Sequence, residues 1–355
     1  MPFMAASFTE RSLAANPDLR ISRALFWASG PEEAAVLSRD LGLLGFKSFA
    51  TESQSVFGVF TDDIETLARI LADRLSPEQR RQVKALVLDD RAPTLEDFAN
   101  LQTVETFVQH HSSRWLARLL EEGRYKSLMQ PIIAAETGEV HGYEFLFRGL
   151  GKDGAVIPPM DMFDAARDPA LAALLDGKAR DCAVRTAARL GILERLFINV
   201  QPKNVSVAAS CFADTLDLIE AANIDPDRVV FEIVESEAVE DISHLSGLVD
   251  FCRSAGYRIA LDDFGSGFNN LSMMIGLAPD YIKLDKSLIS RICGDPQIWN
   301  LVANMIDAAR QSGVAVIAEG VEDERTASLL RTIGADYMQG YLFGHPSDKP
   351  LSARA

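Results

Sequence analysis

Cysteine is scarce in this chain. The four present, Cys182, Cys211, Cys252 and Cys293, stand far apart, with no CxxC pair. That suits a reducing compartment and gives no zinc signature. The five histidines include no HxxxH or HExxH spacing, so no histidine-rich transition-metal site is expected. No apolar run approaches the roughly 18–20 residues that span a bilayer. The N-terminal "MPFMAASFTERSLAANPDLR" lacks a basic start followed by a long apolar block, which makes it a poor signal peptide. Positive charge is short as well: 35 Lys and Arg face 51 Asp and Glu, for a net charge of −16. This disfavours DNA binding and broad adhesion to anionic lipid. A phosphate-bearing ligand is still allowed, because a divalent cation can sit between an acidic protein and an anion. The expectation is a soluble cytoplasmic protein without a membrane span.

What the chain has is apolar material. Its 355 residues are 48% hydrophobic, enough for a large core and more than one ordinary domain. Strand-like and helix-like segments run in the order βαββαβ from "RALFWA" (23–28) to "VKALVLD" (83–89). This predicts a small ferredoxin-like α/β domain over residues 1–92. It carries no catalytic constellation and reads as a scaffold or regulatory module. Residues 93–125 read as a helical linker of two helices, "TLEDFANLQTVETFVQ" (94–109) and "SRWLARLLEEG" (113–123), separated by "HHSS". Thr94 and Asp97 form a capping-box-like start. Leu95, Phe98, Leu101, Val104 and Val108 fall on one face. The linker is suited to passing a signal, to forming a dimer seam, or simply to packing on a neighbouring domain.

From about residue 126 to 355 short apolar strands alternate with helices. The strand candidates are 128–134, 140–148, 196–200, 229–234, 258–262, 281–285, 315–319 and "YLF" (341–343). Eight such strands predict an α/β fold of the (β/α)8, TIM-like barrel type. Only "AETGE" separates the first two, so they are expected to pair antiparallel, an irregularity in the barrel. Polar residues punctuate the strand ends: Glu144, Asn199, Glu232, Asp262, Asp263, Lys283, Glu319 and Gln339. Barrel chemistry gathers at the C-terminal ends of strands. Singly, each residue has a structural alternative. Glu144, Glu232 or Lys283 could belong to a buried ion pair, Asp262 could cap a helix, and Glu322 and Asp323 could favour a helix N-terminus. Together, five acids and one lysine on one rim would repel one another unless cations bound there. All-oxygen ligands suit Mg2+ or Mn2+, and the adjacent Asp262 and Asp263 suit a pair of metals such as hydrolyses phosphoesters. Gly265 and Gly267 permit the turn that lets both aspartates serve one site.

Residues about 127–348 resemble the EAL-domain family of cyclic di-GMP phosphodiesterases. The resemblance is carried by "QPII" (130–133), "YEFLFR" (143–148), "INVQP" (198–202), "FEIVES" (231–236), "ALDDFGSGFNNL" (260–271), "YIKLDKSLI" (281–289), "VIAEGVED" (316–323) and "MQGYLFGHP" (338–346). It implies metal-dependent hydrolysis of cyclic di-GMP to linear pGpG. Glu144, Asn199, Glu232 and Asp262 would ligate a first metal. Asp262 would bridge to a second, joined by Asp263 and Glu319. Lys283 would hold the attacking water, Glu319 would help deprotonate it, and Glu235 would anchor the loop after Asp263. Gln130, Leu146 and Arg148 would contact the dinucleotide, with Glu322 and Gln339 as supporting contacts. A homodimer near the 262–275 loop is also implied, with the N-terminal domain as regulator and possible site of a signalling partner. The alternative is a catalytically weak receptor for the same ligand. Phe145 stands where the family shows alanine, and is expected to place a larger ring beside the ligand pocket. Val234 replaces a threonine. Residues 1–125 contain no GGDEF-like loop that would suggest a combined cyclase.

Overall fold

The computed structural model describes residues 22–89, 93–166, 168–201, 209–234, 242–265 and 270–351. Two units divide between Trp115 and Leu116. The first holds β1 (Ser22–Trp27), α1 (Pro31–Leu43), β2 (Lys47–Ala50), β3 (Val56–Thr61), α2 (Ile64–Arg74), α3 (Pro77–Gln82), β4 (Lys84–Asp89) and β5 (Gln102–Thr103). Its sheet runs β2-β3-β1-β4-β5 with every neighbouring pair antiparallel. The first four strands thus take the expected ferredoxin-like order. Strand alternation sends Ala24, Phe26, Phe57 and Val59 into one core with Leu37 and Leu41 of α1 and Leu67 and Leu71 of α2.

The two expected linker helices are not what forms. Thr94 and Asp97 do bond to each other, with the Thr94 amide donating to Asp97 Oδ2 at 2.7 Å. They start only a 3-10 turn, Glu96–Asn100, where Phe98 and the preceding Leu95 stay exposed at 40% and 82%. One continuous helix, α4 (Val104–Glu121), then runs straight through "HHSS". Within that run His110 is exposed while His111 is buried, its ring centroid 4.6 Å from that of Phe107, so packing carries the helix through a polar stretch.

The second unit contains β6 (Tyr125–Ala134), β7 (Val140–Leu150), β8 (Val156–Ile157), α5 (Pro159–Ala165), α6 (Pro169–Leu190), β9 (Arg195–Val200), α7 (Ala209–Ala221), β10 (Val229–Val234), α8 (Ile242–Ser254) and β11 (Arg258–Phe264). It continues with α9 (Asn270–Leu277), β12 (Tyr281–Leu284), α10 (Lys286–Ile289), α11 (Pro296–Gln311), β13 (Ala315–Ala318), α12 (Glu324–Ile333) and β14 (Tyr337–Gln339). The sheet order β6-β14-β13-β12-β11-β10-β9-β7 is closed by β6–β7, giving an eight-stranded barrel with β8 appended. β6 lies antiparallel to both its neighbours, and the other barrel pairs are parallel. The irregular first strand is as expected.

The eighth strand is not. "YLF" forms a turn, and the strand is Tyr337–Gln339, four residues earlier. The Val321 amide donates to Gln339 O at 3.0 Å and the Leu342 amide to Val321 O at 3.1 Å, which folds the chain back at once. A Cβ on Gly340 would lie 2.1 Å from Val321 O, so this close approach requires glycine.

Alternation places the site. The barrel interior holds a deep apolar layer of Ile132, Phe197, Val230, Ala260, Tyr281 and Ile317. Two residues further along, toward the strand C-termini, the same inward face carries Asn199, Glu232, Asp262, Lys283 and Glu319. On antiparallel β6, Gln130 lies opposite Glu144 and Ile132 opposite Gly142. A Cβ on Gly142 would come within 2.8 Å of the Phe197 ring, so the glycine leaves room for that ring in the barrel. Below, His141 stacks on Tyr337 with ring centroids 3.8 Å apart and meets Tyr281 Oη at 3.2 Å. Among the described residues, no helix is long and apolar enough to cross a membrane.

Candidate active site

Lys283 lies at the centre of the rim and is 0% exposed. Its ammonium is 2.8 Å from Glu232 Oε1, 2.8 Å from Glu319 Oε1, 3.3 Å from Asp262 Oδ1 and 3.4 Å from Glu144 Oε2. These are ion-pair distances without the alignment of hydrogen bonds. Asn199 Nδ2 donates to Glu144 Oε1 at 3.1 Å, and Gln339 Nε2 donates to Glu144 Oε2 at 2.6 Å. Gln339 Nε2 also reaches Gln130 Oε1 at 3.3 Å, while Gln130 Nε2 donates to Gly344 O at 3.3 Å. A chain of amides therefore fixes Glu144.

Asp262 and Asp263 share this rim because β11 breaks step there. Leu261 pairs with Ile282 but Phe264 pairs with Leu284, so β11 carries one extra residue. Such a bulge re-aims side chains next to a site. Asp263 takes φ of 55°, a left-handed conformation that aspartate tolerates better than most residues. Its amide donates to Asp262 Oδ1 at 3.0 Å. The outcome is that carboxylate oxygens of Asp262, Asp263 and Glu319 all lie within 4.8 Å of one another.

The charges do not balance. Burial pushes the Glu232 carboxyl well above its ordinary range, with Glu144 and Asp262 adding to the effect. Burial and the neighbouring Asp262 and Asp285 raise Asp263 to about 6. Burial, with Asp262 and Glu144, raises Glu319 to about 8 despite Lys283. For Glu144, burial works upward, but Lys283, Gln339 and Asn199 together hold the carboxyl below its ordinary range. Burial alone would lower Lys283, yet the four surrounding acids raise it well above the usual lysine value. One ammonium is thus too little positive charge for this rim. Among the described residues, Glu232 Oε2 and Gln339 Oε1 are buried without a hydrogen-bond partner. Orphaned oxygens beside surplus carboxylates fit one or more hard divalent cations.

The other expected residues are spread more widely. Leu146 and Arg148 follow Glu144 on the same face of β7, both half-buried. Arg148 Nη1 donates to Phe147 O at 2.8 Å. Glu322 is exposed on the loop after β13 and stands outside the ion-pair network, whereas Asp323 caps α12 by accepting from the Thr326 amide at 2.8 Å. Glu235 and the 266–269 loop lie outside the described residues, as does the side chain of Val234. The expectation for Phe145 is corrected. It alternates with Glu144, so its ring is buried in the layer between barrel and helices with Ala183, Val184 and Ile198, away from the site. Asp285 is a further acid beside the site. It caps α10 by accepting from the Ser287 amide at 2.9 Å while its charge bears on Asp263, and the aspartate directly after "YIKL" was its signal in the sequence.

The EAL domain family profile matches residues 113–346. The chain belongs to the EAL domain family. Over 233 residues it is 28% identical to the cyclic di-GMP phosphodiesterase PdeL of Escherichia coli, covering 64% of each chain. A Pseudomonas aeruginosa cyclic di-GMP phosphodiesterase is 31% identical over 229 residues, 64% of this chain and 39% of that protein. The chain therefore spans less than two thirds of the length of these curated relatives. Among solved structures, a standalone EAL protein from Vibrio cholerae with bound c-di-GMP shares 29% identity and a TM-score of 0.59, covering 64% of this chain and 94% of that one. The EAL enzyme Bd1971 reaches a TM-score of 0.62 over 93% of both chains, at 20% identity, a likeness of fold. The EAL match includes the strand ends that carry Glu144, Asn199, Glu232, Asp262, Asp263, Lys283, Glu319 and Gln339.

Proposed function

We propose that this EAL protein hydrolyses cyclic di-GMP to linear pGpG with the help of two divalent cations, Mg2+ or Mn2+. The observation that carries the reading is the cluster itself: five carboxylates gathered on one barrel rim against a single lysine. Its relatives' names supply the substrate. Glu144, Asn199, Glu232 and Asp262 are the candidate ligands of one cation, and Asp262, Asp263 and Glu319 of the other. The bound cations would supply charge stabilisation at the phosphodiester and a more acidic water.

The chain's own residues then have distinct tasks. Lys283 is held as an ammonium by its four acids, so it orients water by donating and does not act as a base. Glu319, 2.8 Å from the Lys283 ammonium on the rim, is the candidate acceptor of the water's proton once bound cations have displaced its own. The water oxygen forms the new P–O bond, the P–O3′ bond breaks, and the leaving oxygen takes up a proton. Arg148 has guanidinium donors beyond the one given to Phe147 O, suited to the second phosphate. Gln130 and Leu146 line the approach. Leu271 and Ile275 on α9 are exposed apolar residues, which supports the homodimer surface. The N-terminal unit (with α4) is the candidate regulator.

The test is incubation of purified protein with cyclic di-GMP and Mg2+ or Mn2+, with products resolved by chromatography. Metal-dependent pGpG, abolished by EDTA, is expected. Ligand binding without any product would instead make the protein a receptor.

A further inference from the structure

α6 presents an apolar stripe to the barrel, yet two charges lie on it. Asp176 and Arg180 are one helical turn apart and both buried, at 3% and 2% exposure. They form an ion pair with each other. The Arg180 guanidinium lies 5.3 Å over the Phe212 ring of α7, and its Nε donates to Thr215 Oγ1 at 3.4 Å. Thr215 in turn donates to Asp181 Oδ1 at 3.1 Å. Buried ion pairs seldom stabilise more than apolar residues of the same volume. This pair has a further contact: Asp176 Oδ1 accepts from the backbone amide of Gln201 at 3.2 Å. Gln201 is two residues beyond Asn199, where β9 leaves the barrel.

We infer that Asp176, held in place by Arg180, is a positioning residue for Asn199. By fastening the Gln201 amide to the rigid α6–α7 layer, it fixes the end of β9. Asn199 is thereby aimed with its Nδ2 on Glu144. Arg180 holds the carboxylate in one rotamer and neutralises it, so the oxygen facing Gln201 stays in place. The inference rests on the reading of Asn199 as a cation ligand. Partners that orient metal ligands typically contribute about 10–100-fold to affinity or activity.

Two double variants separate positioning from packing. Arg180→Leu with Asp176→Asn removes both charges but keeps an acceptor oxygen for Gln201. Arg180→Leu with Asp176→Leu removes the acceptor too; Asp176→Ala in the same background replaces it if the leucine variant does not fold. The readouts are Mn2+ affinity by calorimetry and hydrogen exchange of the peptide containing Gln201. The asparagine variant is expected to bind Mn2+ within about threefold of wild type, and the acceptor-less variant about tenfold more weakly, with faster exchange at Gln201. Equal Mn2+ affinity or equal exchange in the two variants would overturn the inference and leave a packing role. If wild-type protein takes up no Mn2+, the metal reading fails instead, and the exchange comparison still decides whether Asp176 fastens the end of β9.

Discussion

At the scale of single residues, the side chains on the rim are not interchangeable. Glu144 is fixed by Asn199, Gln339 and Lys283, and Asp262 is shared between Lys283 and the Asp263 amide. Replacing either with alanine removes a candidate ligand and releases those partners. Glu144→Ala and Asp262→Ala are each expected to lower kcat by more than the roughly 10–100-fold that loss of an outer partner costs. Steady-state assays at saturating Mn2+ decide this, and turnover within threefold of wild type would refute the assignment. Phe145 makes the opposite case. Its ring lies in the barrel–helix layer, so Phe145→Ala is expected to lower stability by about 3–5 kcal/mol while KM stays within a factor of two. Denaturant unfolding and kinetics on the same preparation check both halves. A large KM change with little loss of stability would return the ring to the ligand pocket.

At the scale of elements, most of the barrel is legible because its strands are short apolar runs ending in one polar residue. "LFINV", "VVFEIV" and "YIKL" each place a deep apolar residue and then a polar one on the same inward face. What was not legible depends on long-range contact. The bulge in β11 needs the β12 partner to define it, although "DDFG" hints at irregularity. β14 is only three residues long and is set by the Val321 backbone, so its periodicity is too short to read and the more apolar "YLF" draws the assignment. In the same way, 94–109 shows a helical apolar spacing, but β4 pairs with β5 at Gln102 and Thr103 and interrupts it. The turn after β14 gives an element-scale prediction. Gly340→Ala drives a Cβ into the Val321 backbone and is expected to destabilise by about 1–3 kcal/mol or more, shifting Gln339 off Glu144. Unchanged unfolding midpoint and unchanged activity would mean the turn yields at no cost.

At the scale of the whole molecule, the raised carboxyls of the rim couple stability to pH. Asp263 and Glu319 titrate at about 6 and about 8 in the metal-free fold, above their unfolded values near 4. The folded state therefore binds more protons, and the stability this contributes is present below about pH 4 and lost as pH rises through 6 and 8. His111 and His141 run the other way. Burial lowers both to about 4, so their contribution is complete above the unfolded value of about 6.5 and lost as pH falls toward 4. Between pH 6.5 and 8.5 the histidine contribution is already complete, whereas that of Glu319 is being lost. Thermal unfolding in EDTA should give a falling Tm across that window, and saturating Mg2+ should flatten it, because cation binding displaces the same protons. A metal-free Tm that rises with pH there would contradict the charge balance described for the rim. One titration decides whether this crowd of acids holds cations that cut a phosphodiester. Mn2+ is added stepwise to metal-free protein with cyclic di-GMP, and pGpG formation and bound metal are measured together. No pGpG without metal, and a rate that saturates at about two Mn2+ per chain, are expected. Full turnover in EDTA, or bound Mn2+ with no pGpG at any concentration, would contradict that role for the acids.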